Sequence, residues 1–286
     1  MSFFLKFKEG IVGALFTVDK NKCKGDEICA AECPLGIIRM DEREHVPVPT
    51  EEAQDACINC GHCVSVCPHG ALSLAAMPVG DCRELRSGWR VAPECLEEFL
   101  KGRRSIRAYK KEPVSRECLE RLVDVARYAP SGINRQPAEW IIIYEPEKVK
   151  DIAREVINWM KNLIGSDSPL AESLHMRSHI SAWEKGKDYI CRGAPHLIIA
   201  CALKEDMIAS TACTIALTYV ELAAVSWGLG ACWAGYVNMA LNMWPPAHQL
   251  LGISKRRACF GALMVGYSQF EYYRIPVRNK VRLAGK

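Results

Sequence analysis

The chain has 286 residues, a formal net charge of +4, 24% charged and 49% hydrophobic residues, which gives room for one large domain or two smaller ones and excludes a disordered or low-complexity protein. The charge excess does not mark nucleic-acid binding: the basic residues from Arg83 to Arg127 are interleaved with Glu84, Glu94, Glu97, Glu98 and Glu120, as on a mixed helical surface. Fifteen cysteines would spell disulfides in a small secreted protein, but seven stand in ligand spacing. The other eight (Cys82, Cys95, Cys118, Cys191, Cys201, Cys213, Cys232 and Cys259) are scattered singly and read as small buried side chains in a reducing compartment.

The first ten residues break their apolar run with Lys6, Lys8 and Glu9 and show no clear signal-peptide core or cleavage site, so the N-terminus reads as uncleaved and the protein as cytoplasmic. Short β-type patterns follow at residues 17–20 and 37–48, with turn-rich text between them. Between and after them stand two cysteine runs. The second, Cys57-Ile-Asn-Cys60-Gly-His-Cys63-Val-Ser-Val-Cys67-Pro68, has the ligand spacing of a bacterial 4Fe–4S site, where one tight loop supplies three thiolates and the fourth serves a second cluster. Zinc, the main rival for Cys-x-x-Cys pairs, prefers two separated pairs over cysteines packed this tightly. Gly61 lets the backbone pass close to the cluster.

The upstream run is Cys23-Lys-Gly-Asp26-Glu-Ile-Cys29-Ala-Ala-Glu-Cys33-Pro34, in which Asp26 stands where the second cysteine belongs. Crossed ligation assigns Cys57, Cys60, Cys63 and Cys33 to one cluster, and Cys23, Cys29, Cys67 and Asp26 to the other. A carboxylate is a harder ligand than thiolate, so the iron at Asp26 should be exchangeable. If Asp26 is only a solvated loop residue, that site holds 3Fe–4S instead. Residues Phe16 to Leu74 resemble a two-cluster ferredoxin domain in its Asp-for-Cys form, a loop-rich fold with too few apolar residues to fold without its clusters.

Cluster-type cysteines stop near Met77-Pro78, which predicts a ferredoxin-like domain over 1–78, a connecting segment over 79–97 with a proline-opened helix at Pro93–Leu100, and a second domain over 98–286. Ser115 to Tyr128 is predicted as an amphipathic helix with Leu119, Leu122, Val123 and Ala126 on one face, ending before Pro130. Trp140–Tyr144 reads as a buried strand, Pro146–Ile164 as a helix and His196–Ala202 as another strand. Ile208 to Tyr236 is nearly uncharged, but Glu221, its small polar residues and the Gly228-Leu-Gly230 stop argue for a buried core or interface helix and against a membrane span. A helix-rich patch at Trp244–Leu251 and a strand at Cys259–Gly266 complete an α+β or α/β layered domain; the fold class expected is α+β.

Four stretches carry this domain's chemistry. Gly102-Arg103-Arg104-Ser105-Ile-Arg107 offers guanidinium forks and a hydroxyl suited to phosphate. Ala129-Pro130-Ser131-Gly132-Ile-Asn134-Arg-Gln136-Pro137 leaves a helix and presents amide side chains that both donate and accept. Gly228-Leu-Gly230-Ala-Cys-Trp233-Ala234-Gly235 is not a dinucleotide fingerprint, since Trp233 occupies the last required glycine. The fourth runs from Gly266-Tyr267 through Arg274 to Arg278.

In this order the four resemble the FMN-dependent nitroreductase family across roughly residues 98 to 286. That resemblance implies a mainly antiparallel sheet flanked by helices. It puts Arg103, Arg104 and Ser105 on the FMN phosphate tail and Arg107 near the pyrimidine edge, where a cation stabilises the charge of the reduced ring. It makes Asn134 a ring-edge partner, places Ser131, Gly132 and Gln136 near the flavin and Trp233, Ala234 and Gly235 along its face, and gives Arg278, with Arg274, a closing phosphate contact. Relatives often follow Gln-Pro with tryptophan, where this chain has Ala138. The resemblance also implies a homodimer with flavin in the interface.

Fusing clusters to FMN implies a wire from an external donor, such as ferredoxin or a reductase, to a small electrophile: a nitroaromatic, quinone or activated alkene. Two alternatives stay open: an electron-transfer protein serving a protein partner, and a flavin-dependent reductive dehalogenase. Residues 162–192 are the least family-like and suit a substrate-choosing cover. His175 and His179 within them read as surface histidines at helical spacing and not as a metal pair.

Overall fold

The computed structural model describes residues 14–285. The readings of the first ten residues lie outside this range. The chain divides into two compact units: one runs to Arg90 and counts Ile133–Arg135 with it, the other comprises Val91–Gly132 and the chain from Gln136 onward.

The first unit contains β1 (Phe16–Val18), α1 (Ile28–Ala31), β2 (Ile38–Met40), β3 (Pro47–Pro49), α2 (Ala53–Ala56), α3 (His62–Val66) and β4 (Leu72–Leu74). β1 pairs antiparallel with β4, Phe16 opposite Leu74, and β2 with β3, Ile38 opposite Pro49. Among the described residues its buried core has ten side chains, two of them Cys29 and Cys63. So small a core leaves the unit dependent on whatever its cysteines bind.

The second unit begins with α4 (Pro93–Gly102) and α5 (Arg116–Ala126), followed by β5 (Glu139–Ile143), α6 (Pro146–Gly165), α7 (Pro169–Ser173), α8 (Met176–Glu184), β6 (His196–Leu203), α9 (Ala209–Ser226), β7 (Gly230–Trp233), α10 (Gly235–Met243), α11 (Pro245–Leu250) and β8 (Arg257–Gly266). Its sheet has the order β5-β6-β8-β7, and all neighbours are antiparallel. Side chains alternate across a strand. Leu197, Ile199 and Cys201 of β6 accordingly pack with α6 and α10 residues such as Val156 and Val237. Ile198, Ala200 and Ala202 pack on the other face with α5 and α9 residues such as Leu122 and Leu217. The sheet is thus covered by helices on both sides, which explains the unbroken burial of His196–Ala202.

Local signals set the helix ends. The Ser115 hydroxyl accepts the Cys118 N–H at 3.2 Å and caps α5, while Pro93, Pro146, Pro169 and Pro245 stand in the first turns of their helices, where no N–H is needed. α9 is long and apolar enough to cross a membrane, yet it buries Ala212, Ala216, Val220 and Ala224 in the unit with Glu221 among them. The expected small buried cysteines hold for Cys191, Cys201, Cys213, Cys232 and Cys259. Cys82 and Cys118 are half-buried and Cys95 is exposed, because α4 buries none of its residues.

Candidate functional site

In the first unit one cavity is lined by Cys33, Cys57, Cys60 and Cys63 together with Phe16, Ile37 and Gly61. The two runs therefore meet: Cys33 comes from the first, beyond α1, and the others surround the loop before α3. Burial pushes the Cys63 thiol up to about 11, with Cys57, Cys60 and Cys33 adding like charge. Gly61 has φ +73°, and a Cβ there would stand 2.6 Å from the Met77 sulfur, so both backbone and packing require glycine. The Asn59 N–H points at the Cys57 sulfur at 3.4 Å and the Ala71 N–H at the Cys67 sulfur at 3.3 Å, donors that suit thiolate ligands.

Cys29 is buried, and burial, with smaller contributions from Cys67 and Asp26, raises its pKa. Asp26 is exposed and Cys23 half-buried. Among the described residues no group of three or more His, Cys, Asp or Glu side chains closes tightly enough for a single metal ion. Cys33, Cys57, Cys60 and Cys63 on one cavity are the four thiolates that an iron–sulfur cluster takes.

Asn134 also belongs to this unit. Its side-chain amide donates to the Ile58 carbonyl at 3.2 Å and the Asn59 carbonyl at 2.9 Å, on the loop that carries Cys57 and Cys60. Ile133, Asn134 and Gln136 all have positive φ.

In the second unit the 103–109 strap lies along β7. The Ile106 N–H donates to the Ala231 carbonyl at 3.0 Å, and the Tyr109 hydroxyl to the Ile106 carbonyl at 2.8 Å. A Cβ on Gly230 would meet Ile106 at 2.2 Å. Arg103 Nη1 stands 3.0 Å from Glu221 Oε1, and the Trp233 indole N–H donates to Glu221 Oε2 at 3.3 Å. One buried carboxylate on α9 thus joins the first and third motif stretches. Arg104 donates to the Lys101 carbonyl, while its Nε is buried without a hydrogen-bond partner. Burial raises the Cys232 pKa, and Arg107 lies close enough to oppose it. Ala234 caps α10, and the space above Gly235 is open.

Residues 100–267 match the family described as "Nitroreductase family". The chain belongs to that family. Residues 18–71 match a "4Fe-4S dicluster domain", so this nitroreductase-family chain is an iron–sulfur flavoprotein oxidoreductase. An iodotyrosine deiodinase of Thermotoga neapolitana is 30% identical over 141 residues, covering 48% of this chain and 71% of that protein. Crystal structures of FMN-bound nitroreductases from Bacteroides fragilis (TM-score 0.57, 21% identity) and Desulfitobacterium hafniense (0.54, 22%) each align with 68% of this chain and all of theirs. At such identities these two share the fold.

Other motif residues of this nitroreductase-family chain lie elsewhere. Ser131 accepts the Gln136 N–H at 2.9 Å, and both line a cavity of about 470 Å³ with Trp140 and Ala216. Exposed Gly132 lies next to Ile208. Arg274 and Arg278 lie exposed in the C-terminal segment, outside any strand or helix.

Two groups escaped the sequence reading. His179 is not a surface histidine: it is half-buried, packs edge-on against Tyr236 at 4.9 Å, and hydrogen-bonds the Tyr236 hydroxyl at 3.0 Å. The Tyr236 hydroxyl donates to the Leu174 carbonyl at 3.1 Å, so His179 Nε2 carries the proton and donates. Burial, then Arg192 and His175, lower the His179 pKa, keeping the ring neutral. His175 is exposed as expected. His196 is buried and accepts the Val114 N–H at 2.8 Å. The long sequence separation of these pairs left no local signal.

Proposed function

We propose that this protein takes single electrons through two clusters and passes them by way of FMN to a small electrophilic substrate, a nitroaromatic, quinone or activated alkene. When bound, FMN supplies two-electron chemistry and the clusters one-electron supply. The observation that carries the reading is the convergence of Cys33, Cys57, Cys60 and Cys63 on one cavity in a chain of the nitroreductase family.

Cys23, Asp26, Cys29 and Cys67 hold the second cluster in this reading. Arg103, Arg104 and Ser105 hold the flavin phosphate, supported by the buried, unpartnered Arg104 Nε, with Arg278 and Arg274 closing on it. Arg107 faces the pyrimidine edge. The Trp233–Gly235 backbone lies along the ring, supported by the open space above Gly235, and Ser131, Gly132, Asn134 and Gln136 approach it. We place residues 1–78 and 98–286 in two domains joined by 79–97, the chain in a cytoplasmic homodimer, and its donor among ferredoxins or reductases. The deiodinase relative favours reductive dehalogenation as a second reading.

The test is an anaerobic cofactor inventory on reconstituted full-length protein, followed by stopped-flow reoxidation of the reduced protein with a nitroaromatic, a quinone and an iodophenol. Flavin near one per chain, iron at about seven or eight and fast reoxidation by either of the first two support the reading. A lack of bound flavin overturns it. Reoxidation by iodophenol alone installs the second reading, and reoxidation only by a protein acceptor makes the chain an electron carrier.

A further inference from the structure

We propose that Tyr189, Arg192, His179 and Tyr236 form a substrate-selecting wall, and that it reads the carboxylate of a planar aromatic substrate; this rests on the placement of the reacting ring along Trp233–Gly235. Tyr236 directly follows Gly235 and is packed against His179. The His179 ring meets the Tyr189 ring at 6.3 Å and 76°, and the Arg192 guanidinium lies 5.8 Å from the Tyr189 ring centre. These contacts run as a chain from the Trp233–Gly235 segment to a cation.

Arg192 is presented by a built turn. Both Asp188 oxygens are engaged by backbone: Oδ1 accepts the Ile190 and Cys191 N–H groups at 2.8 and 2.9 Å, and Oδ2 accepts the Gly193 N–H at 3.0 Å. This brace holds Arg192 at φ 58°. With Asp188 engaged, Arg192 forms no ion pair among the described residues. Its planar fork matches a carboxylate bidentately. Tyr189 is 43% exposed and offers a ring face for stacking. Neutral His179 neither competes with Arg192 for the anion nor provides a counter-charge.

Calorimetry on the FMN-loaded full chain with benzoate and benzamide, two non-reducible probes of equal shape, tests this. Benzoate should bind at least about 10-fold more tightly than benzamide, the range expected for a charge-assisted bond. R192N, whose asparagine tolerates the left-handed conformation, should erase that preference while leaving benzamide affinity and flavin content unchanged. R192K, which keeps the charge without the fork, should fall between. Equal binding of the two probes by the wild type, no binding of either, or a preference surviving in R192N would each overturn the proposal. If flavin does not load, the same titrations on the purified chain decide it. A benzoate preference in a chain that reduces no electrophile removes the proposed reaction and leaves the wall; turnover without the preference removes the wall alone.

Discussion

Glu221→Gln is the substitution whose effect the structure determines most closely. Glu221 is the lone acid of α9, with its side chain 8% exposed, and it pairs with Arg103, whose side chain is 28% exposed. Glutamine keeps the shape and can accept from one donor, but its NH₂ group then faces the other. Breaking a fully buried pair costs about 3–5 kcal/mol. Solvent reaching Arg103 reduces this here, and the loss of one charge-assisted bond suggests about 2 kcal/mol. For a unit of this size that is a fall in melting temperature of about 4–8 °C. Tryptophan fluorescence reads the second unit, because every tryptophan except Trp89 lies there. A double-mutant cycle with Arg103→Met isolates the pair, and a coupling of about 1 kcal/mol or more is expected for a charged hydrogen bond. Additive single effects, or a shift in E221Q too small to measure, would refute the reasoning.

Gly61→Ala should lower the iron bound per purified chain, since alanine is strained at φ +73° and meets Met77; adding Met77→Ala should restore it only in part, because the backbone strain of about 1–3 kcal/mol remains. Full iron in G61A would contradict this. Asp26→Cys should raise iron to about eight per chain and remove any oxidised three-iron EPR signal, and iron content unchanged from a wild type short of eight would show that position 26 does not face the second cluster. Burial lowers the pKa of His196 and His179, so the unfolded chain takes up protons at higher pH than the folded one. Stability should therefore fall as pH drops below about 6.5, the ordinary histidine value, toward the lowered folded values. His196→Gln, which keeps an acceptor for the Val114 N–H, should flatten part of that slope in urea midpoints; an unchanged slope would mean His196 titrates normally.

The parts of the fold that were legible in the sequence are those written in local spacing. The cysteine runs carry their chemistry in positions a few residues apart, and the apolar spacing of α5, with Leu119 and Leu122 buried, marks its inner face unaided. β7 and α10 were not legible. The four residues of β7 become a strand only by pairing with β8, Gly230 opposite Gly266, and α10 begins immediately beyond Ala234, so the stretch to Gly235 reads as irregular backbone. Nor could the sheet order be read, because it depends on which side of β8 each strand occupies. Glu221 was visible as an acid in an apolar run, but its partner Arg103 lies 118 residues away. His179 looks like a surface residue until Tyr236 is brought beside it.

Edge geometry explains why the two motif stretches of the second unit meet. β7 is an edge strand, paired with β8 on one side, and an unpaired edge invites another chain. Here the strap fills it: the Ile106 N–H takes the Ala231 carbonyl, and Ile106 fits only because Gly230 has no side chain. Arg103 enters at one end of that strap and needs a counter-charge once it is partly withdrawn from water. α9 supplies Glu221 from beneath, and the same carboxylate receives the Trp233 indole from the end of β7. The acid therefore does more than neutralise an arginine. It ties the strap to the strand through Arg103 and Trp233, and in the proposed flavin site pre-organisation of this kind would let the cofactor bind without first ordering the site's own loops.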